Sequence, residues 1–332
     1  MRDESSKQQN GPRPQQLGLF GPLDPPPPRV AAAAADDELR RLGAALPAAV
    51  ALGTSSWAFA GWRGIVYAPD APTAQLSRHG LGAYANHPLL RAVGLDRTFY
   101  APIATTEFAA YAAQVPDRFR FLVKAWNALT TPRLDGGAPN PHYLDVDRAI
   151  DEVLAPAVEG LGAKLGTLVF QFPPQGDEVA RAPSAFADRL HTFLTRLPAG
   201  APCAVELRDA ALLTRAYVDA LAASGVRHGF VVHPRMPSLE RQRELVGLAA
   251  PVTVRWMLHA GFAYEQAKAR YQPFDRIVDG DAGSRGAIAT LCRDALALGT
   301  SVMVIVNNKA EGSAPQSIRE LARVLADADA AR

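Results

Sequence analysis

A strand-like run followed by a longer helix-like stretch recurs eight times along this chain of 332 residues, and this repetition limits the folds open to it. Most of the runs are short and continuously apolar, which is typical of parallel strands covered by helices on both faces. The eight runs cover residues 50–55, 91–96, 119–124, 167–171, 204–208, 229–233, 252–256 and 302–308. Eight alternating units favour an α/β fold that closes into a single (β/α)8 TIM-like barrel. The alternative is an open doubly wound sheet, but no glycine-rich phosphate loop follows any run.

The residues before the first run have a different composition. Gly, Pro, Gln and Ser dominate the first 35 residues, and four consecutive prolines occupy residues 25–28. Such a segment buries too little apolar surface to offset the entropy lost on ordering. We therefore predict a disordered Pro- and Gln-rich tail over residues 1–47 and one barrel domain over residues 48–328.

One short patch of this tail departs from its polar background. Gln16 is followed by Leu17, Gly18, Leu19 and Phe20, so three large apolar side chains stand beside an amide. The patch resembles the linear motif by which bacterial proteins bind the DNA polymerase sliding clamp. The resemblance implies the clamp as a partner, with the apolar side chains as anchors. The alternatives are a chance match or a segment that folds back on its own domain.

The charges of the chain are nearly balanced. It has 35 Lys and Arg residues against 33 Asp and Glu residues, a formal net charge of +2. This balance excludes a strongly basic protein surface of the kind that binds nucleic acid, but it is compatible with a local basic site. The two cysteines, Cys203 and Cys292, cannot build a disulfide framework. The sequence shows neither a secretory leader nor an apolar span of about 20 residues, so we expect a cytoplasmic protein with no membrane contact.

Polar residues stand at the carboxyl ends of all eight runs, where barrel enzymes build their sites. Glu206 and Arg208 are two residues apart, so their side chains point to the same side of one strand. If that side is the barrel interior, they face Lys124 and Arg255 from two other strands. The remaining polar strand ends are Thr54, Asp96, Gln171, His233, Asn307 and Asn308.

Cations outnumber carboxylates at this predicted rim, where Lys124, Arg208 and Arg255 stand against Glu206 and Asp96. We expect an anionic ligand, either a small phosphate or carboxylate compound or the phosphate of a nucleic acid, held by guanidinium groups. Glu206 is then the predicted general base, and Lys124 is a second catalytic candidate as a Schiff-base nucleophile. The alternative is a structural ion network that caps the barrel core.

Two tryptophans follow the first run closely. Trp57 and Trp62 are predicted either to form a wall that stacks against a ligand or to cover the top of the barrel as apolar packing. The histidines His233 and His259 lack the spacing of metal ligands, so no metal site and no cofactor is predicted.

Several sequence blocks appear in a fixed order along the body of the chain. They include Gly53-Thr54-Ser55-Ser56-Trp57, Gly61-Trp62-Arg63-Gly64, Thr98-Phe99-Tyr100, Gln171-Phe172-Pro173-Pro174, Glu206-Leu207-Arg208 and Asn307-Asn308. Together with Lys124 and Arg255 they cover about residues 51 to 325 and resemble the YecE-like family, also called domain of unknown function 72. The resemblance implies a TIM-like barrel and adds Tyr100 to the candidate ligand-binding residues. It implies no reaction, because the activity of the family is not established.

The chain departs from the family pattern at several strand ends. Gly94 and Asp96 stand where family members usually carry Glu and Asn, and Lys309 stands where an acid follows the paired asparagines. The residue two places after Arg255 is Met257, where the family has a histidine. These departures imply either a subgroup with a more anionic ligand or the loss of an ancestral chemistry.

Three classes of function stay open on the sequence. The first is a barrel that binds or transforms an anionic ligand, and the second is a DNA-maintenance factor, such as a phosphodiesterase or nuclease, recruited to the sliding clamp. The third is a binding barrel without catalysis. The predicted catalytic residues are Glu206 and Lys124, and the predicted ligand-binding residues are Arg208, Arg255, Asn307, Asn308, Trp57, Trp62, Tyr100, Gln171, Asp96 and His233.

Overall fold

The computed structural model describes residues 30–330, and their eight parallel strands close into a barrel in which sequence neighbours are also spatial neighbours. The strands are β1 Val50–Thr54, β2 Ala92–Leu95, β3 Arg120–Lys124, β4 Leu165–Phe172, β5 Cys203–Leu207, β6 Arg227–Val232, β7 Val252–Trp256 and β8 Val302–Val306. The first and last strands pair in register from Val50 opposite Val302 to Thr54 opposite Val306, which closes the barrel. The predicted (β/α)8 architecture is confirmed.

Helices connect successive strands and cover the outside of the barrel. The α-helices of the described residues are α1 Asp37–Ala45, α2 Leu76–His79, α3 Leu81–Ala85, α4 Thr105–Ala112, α5 Val146–Arg148, α6 Ala155–Leu161, α7 Asp177–Ala180, α8 Pro183–Thr195, α9 Arg215–Ser224, α10 Leu239–Val246, α11 Tyr264–Tyr271, α12 Ala282–Ala297 and α13 Ala314–Ala330. A π-helical segment spans Ala149–Leu154, and turns of 3-10 helix follow β2 at Asp96–Phe99 and β8 at Asn308–Ala310. None of the helices in this part of the chain is long and apolar enough to cross a membrane.

Capping residues in the sequence set the ends of several helices. Asp36 accepts a hydrogen bond from the backbone nitrogen of Leu39 at 2.8 Å, which fixes the start of α1. Asp281 does the same for α12 through Ser284, at 2.9 Å. Gly225 ends α9 at φ 69°, a left-handed conformation that favours glycine.

The strands are buried because helices cover them outside and side chains fill the barrel inside. Strands β2, β5, β7 and β8 are buried at every residue. Close packing reaches the backbone at Gly53, where a Cβ would lie 2.0 Å from the carbonyl oxygen of Ala92 on β2. Only glycine allows β1 and β2 to approach in this way.

The segment before β1 is ordered and packed onto the barrel. Helix α1 buries Leu39 and Leu42 in the main apolar core. On its other side, Glu38 accepts a hydrogen bond at 2.7 Å from the Nε of Arg323, which lies on the last helix. The prediction of disorder is therefore wrong for residues 30–47, because burial and ion pairing tie them to α13.

The remainder of the predicted tail, residues 1–29, lies outside the described residues. The clamp-like patch formed by Gln16, Leu17, Leu19 and Phe20 belongs to that part of the chain.

Candidate functional site

A buried carboxylate lies between two arginines inside the carboxyl-terminal end of the barrel. Glu206 on β5 is 0% exposed, and its Oε1 accepts from Nε of Arg208 at 2.5 Å, with Nη2 of the same guanidinium also 2.5 Å away in an ion pair. Its Oε2 accepts from Nη1 of Arg255, on β7, at 2.9 Å. The same Nη1 also donates to the side-chain oxygen of Gln171, on β4, at 2.9 Å. The structure thus brings together four predicted residues from three strands.

Lys124 ends β3 next to this cluster and is 8% exposed. Its ammonium lies 3.7 Å from Oδ1 of Asp96 and 3.6 Å from the centre of the Phe99 ring, a cation–π contact. Thr98 donates to the carbonyl oxygen of Lys124 at 2.6 Å, which ties the 3-10 turn after β2 to the end of β3. The turn therefore positions both the carboxylate and the ring beside the lysine.

Two of the cationic groups have hydrogen-bond donors without an acceptor. Arg255 is only 2% exposed, and its buried Nε has no hydrogen-bond partner among the described residues. Nη2 of the same guanidinium is 4.0 Å from Asp96, beyond hydrogen-bonding distance. Lys124 has no side-chain hydrogen bond within residues 30–330, since Asp96 at 3.7 Å is too far. Unfilled cationic donors of this kind favour the approach of an acceptor-rich ligand.

The cluster carries an excess of positive charge. Lys124, Arg208 and Arg255 contribute three positive charges and Glu206 and Asp96 two negative ones, so the formal sum is 3 − 2 = +1 with the lysine protonated. Burial lowers the pKa of Lys124 to about 8, and the nearby Asp96 carboxylate opposes this shift. Burial likewise lowers the pKa of Arg208, against the opposing charge of Glu206.

Glu206 stays ionised in this surrounding. Burial alone would raise the pKa of its carboxyl, but the charges and hydrogen bonds of Arg208 and Arg255 outweigh burial and hold that pKa below its ordinary value. Both carboxylate oxygens are already occupied by guanidinium donors. The general-base role predicted for Glu206 has no support in this geometry, and its contacts fit a residue that positions the two arginines.

His233 lies just after β6, at the edge of the cluster. Its Nδ1 accepts from the backbone nitrogen of Arg235 at 3.2 Å. Burial and the neighbouring charge of Arg208 lower the pKa of His233 to about 4, so the imidazole is neutral near pH 7. A neutral ring adds no further positive charge to the site and offers one more polar group beside it.

The aromatic candidates are placed differently. Trp62 is fully buried against Phe59 and Tyr84, and Trp57 is buried with its Nε1 donating to the carbonyl oxygen of Leu76 at 3.1 Å. Trp62 therefore lies in the apolar cover of the barrel, whereas Trp57, although buried, also lines a cavity of about 530 Å³ together with Asp96 and Thr98. Tyr100 is 75% exposed and lies outside the charged cluster.

The paired asparagines shape the loop after β8. Asn307 donates to Oγ of Ser55 at 2.9 Å, and its side-chain oxygen accepts from the backbone of Lys309 at 3.0 Å. Asn308 is buried, and its side-chain oxygen accepts from the backbone nitrogen of Ala314 at 2.8 Å, at the start of α13. These contacts fix the loop and do not place either side chain on the charged cluster.

Phe99 and Thr98 are contributors that the sequence alone did not single out. The block Thr98-Phe99-Tyr100 was a visible signal, but only the fold shows that Phe99, rather than Tyr100, contacts Lys124. No group of three or more Asp, Glu, His or Cys residues placed to hold a metal ion occurs within the described part of the chain.

The fold and the site together define a parallel (β/α)8 barrel with a cationic cluster inside its carboxyl-terminal rim. The family model described as "Protein of unknown function DUF72" matches residues 51–332. The chain therefore belongs to the DUF72 family.

Solved structures of this family share the fold. Two crystal structures of a DUF72 family protein from Enterococcus faecalis V583 align with TM-scores of 0.54 and 0.52 at 19% and 17% identity, and they cover 83% of this chain and 95% and 97% of theirs. A DUF72 family protein from Thermotoga maritima MSB8 aligns with a TM-score of 0.51 at 19% identity, over 83% of this chain and 98% of its own. At such identities the similarity shows the barrel alone. No curated protein is significantly similar to the chain.

Proposed function

We propose that this barrel binds a small anionic ligand, carrying a phosphate or carboxylate group, at the carboxyl-terminal rim between Lys124 and Arg255. The observation that carries the proposal is the unfilled hydrogen-bonding capacity of these two buried cations. Nε of Arg255 has no partner among residues 30–330, and the ammonium of Lys124 meets only a carboxylate at 3.7 Å and an aromatic ring.

The energetics of burial support an anion rather than a neutral ligand. A buried cationic donor without an acceptor loses its hydration with little in return, and this costs stability. An oxyanion placed between the two cations would accept from the guanidinium of Arg255, whose Nη2 faces Asp96 at 4.0 Å, and from the ammonium of Lys124, and would offset the formal charge of +1. Charge-assisted hydrogen bonds of this type are about twice as strong as neutral ones.

The two carboxylates, Glu206 and Asp96, have positioning roles in this proposal. Glu206 holds the guanidinium groups of Arg208 and Arg255 in place. Both groups are therefore already oriented before a ligand binds. Asp96 lies between Lys124 and Arg255, 3.7 Å and 4.0 Å from their nitrogens. Because it is 36% exposed at its side chain, it is also the group most able to move aside for a ligand.

Lys124 is the group suited to chemistry on the bound ligand. With its pKa lowered to about 8 by burial, a measurable fraction of the amine is neutral near neutral pH. It can then give a proton to the ligand or take one from it, or attack a carbonyl group as a nucleophile. Glu206 lacks this capacity, because its oxygens and its charge are committed to the arginines.

Calorimetric titration of the full chain with inorganic phosphate and with malonate tests the proposal, since these probes represent the two anion classes. We expect at least one of them to bind, and Lys124→Met to weaken that binding about tenfold or more. Lys268→Met is the matched control, because Lys268 on α11 is exposed and contacts only Glu265 at 3.6 Å. Absence of binding for both probes, or equal weakening by the two variants, contradicts the proposal.

The sequence of the tail favours a second candidate, recruitment to the DNA polymerase sliding clamp, where a barrel acting on phosphodiesters would meet its substrate. The supporting observation is the patch of Gln16, Leu17, Leu19 and Phe20. We expect the full chain to bind an immobilised bacterial clamp and Phe20→Ala to abolish this binding. Leu23→Ala, in the same tail but outside the patch, should leave it unchanged. Equal binding by the full chain and Phe20→Ala contradicts recruitment through this patch.

A further inference from the structure

The opposite end of the barrel holds a second cation-lined recess. At the amino-terminal ends of the strands, a basin of about 910 Å³ lies between the barrel floor and the segment that joins α1 to β1. Its charged lining residues are Arg40, Arg91, Arg118 and Arg120, and no acidic residue lines it among those described. The basin lies across the full length of the strands from the cluster around Glu206.

Three of these arginines have no carboxylate partner within the described residues. Arg91 donates to the backbone oxygens of Gly43 and Pro47, both at 2.8 Å, and is thereby anchored under the end of α1. Arg120 donates only to backbone oxygens, among them that of Asp117 at 2.7 Å. Arg118 is exposed and forms no ion pair with any residue from 30 to 330.

The charges of Arg91 and Arg118 stand close enough to repel each other. The charge of Arg118 adds to burial in lowering the pKa of Arg91. Most other arginines of the barrel surface are neutralised by a neighbouring carboxylate, as Arg215 is by Asp219 at 2.9 Å. An anion placed among these arginines would relieve the repulsion between Arg91 and Arg118.

The floor of the basin is closely packed beneath Arg120. Gly166 on β4 forms part of it, and a Cβ there would lie 2.8 Å from the terminal methyl of Met303 and 3.2 Å from Cβ of Arg120. The buried hydroxyl-bearing residue Thr253 lines the same floor. Glycine therefore allows Met303 and Arg120 to pack closely over β4 at the floor of the basin.

We propose that this basin is a second ligand site, independent of the rim, that binds a polyphosphate group. Guanidinium groups from α1, the start of β2 and the start of β3 surround it, so their charges are spread over more space than one phosphate fills. A volume of about 910 Å³ lies within the range of small-molecule sites. Forked guanidinium donors match phosphate oxygens in geometry and charge. The chemistry is shared by inorganic polyphosphate and by nucleoside triphosphates.

Titration of the full chain with tripolyphosphate and with ATP, without divalent cations and in about 0.15 M sodium chloride, tests the site. We expect binding of at least tripolyphosphate. Arg118→Gln should weaken it about tenfold, because one charge-assisted contact is lost. Arg120→Gln should do the same, and the exposed Arg118 provides a variant whose folding is not at risk. Tighter binding of ATP than of tripolyphosphate would assign the site to a nucleotide, and equal binding would assign it to the phosphate chain alone.

Two control variants separate this site from the rim and from diffuse attraction. Arg181→Gln removes an exposed arginine after α7 that bonds only its own helix turn, and should change binding less than twofold. Lys124→Met should also have no effect, because it belongs to the rim. The proposal is overturned if tripolyphosphate does not bind, if Arg181→Gln weakens binding as much as Arg118→Gln, or if only Lys124→Met weakens it.

Discussion

Replacement of Glu206 by glutamine removes the carboxylate that holds two buried arginines. The side chain is 0% exposed and accepts two contacts of 2.5 Å from Arg208 and one of 2.9 Å from Arg255. Glutamine keeps the shape but has one acceptor and no charge, so the formal charge of the cluster rises from +1 to +2. Removing one partner of a buried ion pair costs about 3–5 kcal/mol, because the remaining charge is left buried and unpaired. We expect the free energy of unfolding of Glu206→Gln to fall by about that amount.

Equilibrium unfolding in urea measures this loss. Glu178→Gln is the matched control, because Glu178 is 82% exposed at its side chain and pairs with Arg133 at 3.1 Å, and exposed pairs contribute about 0–1 kcal/mol. Added sulfate should raise the stability of Glu206→Gln more than that of the wild type, since an anion would replace the missing charge. A loss below about 1 kcal/mol, equal to that of Glu178→Gln, would refute the view that Glu206 holds the two arginines.

Three further predictions concern pH and packing. The pKa of Lys124 is about 8 in the folded chain against an ordinary 10.5, so the unfolded chain binds more protons between these values. The stability of the wild type relative to Lys124→Met should therefore rise by about 3 kcal/mol from pH 8 to pH 10.5, and a flat difference in urea unfolding would contradict this. Burial lowers the pKa of His228 to about 4, so its NMR titration should have a midpoint near pH 4. The stability of the folded chain should fall as the pH drops below 6.5, because the unfolded chain then binds more protons, and an NMR midpoint near 6.5 would contradict this prediction. Gly53→Ala should lower the free energy of unfolding by about 3 kcal/mol or more, because its Cβ would lie 2.0 Å from the oxygen of Ala92. Gly286→Ala, which has open space on α12, should raise it by about 0.5–1 kcal/mol. Similar unfolding midpoints for the two variants would contradict both predictions.

The barrel could be predicted from the sequence because its signal is local and repeated. Each strand is a short apolar run that lies within a few residues of its predicted place, although β6 begins two residues earlier than the predicted 229 and β8 ends at Val306, before the asparagines. The grouping of Lys124, Glu206, Arg208 and Arg255 followed from the same pattern, since carboxyl ends of parallel strands meet at one rim.

Other features depend on contacts between distant parts of the chain. Composition alone places helix α1 in a disordered tail, whereas Glu38 contacts Arg323, 285 residues away in sequence. The placement of Trp62 likewise depends on the fold, because an aromatic residue in a loop after a strand can face either a ligand or the core. The missing partner of Nε of Arg255 is a property of three-dimensional packing that no sequence pattern reports.

Location of a heavy oxyanion in crystals tests the central claim most directly. Crystals of the full chain soaked in selenate would show the ion by anomalous diffraction. We expect an anomalous peak between the ammonium of Lys124 and the guanidinium of Arg255, lost in crystals of Lys124→Met. Selenate that occupies only other positions, with none between these two groups, would contradict an anion site at the carboxyl-terminal rim.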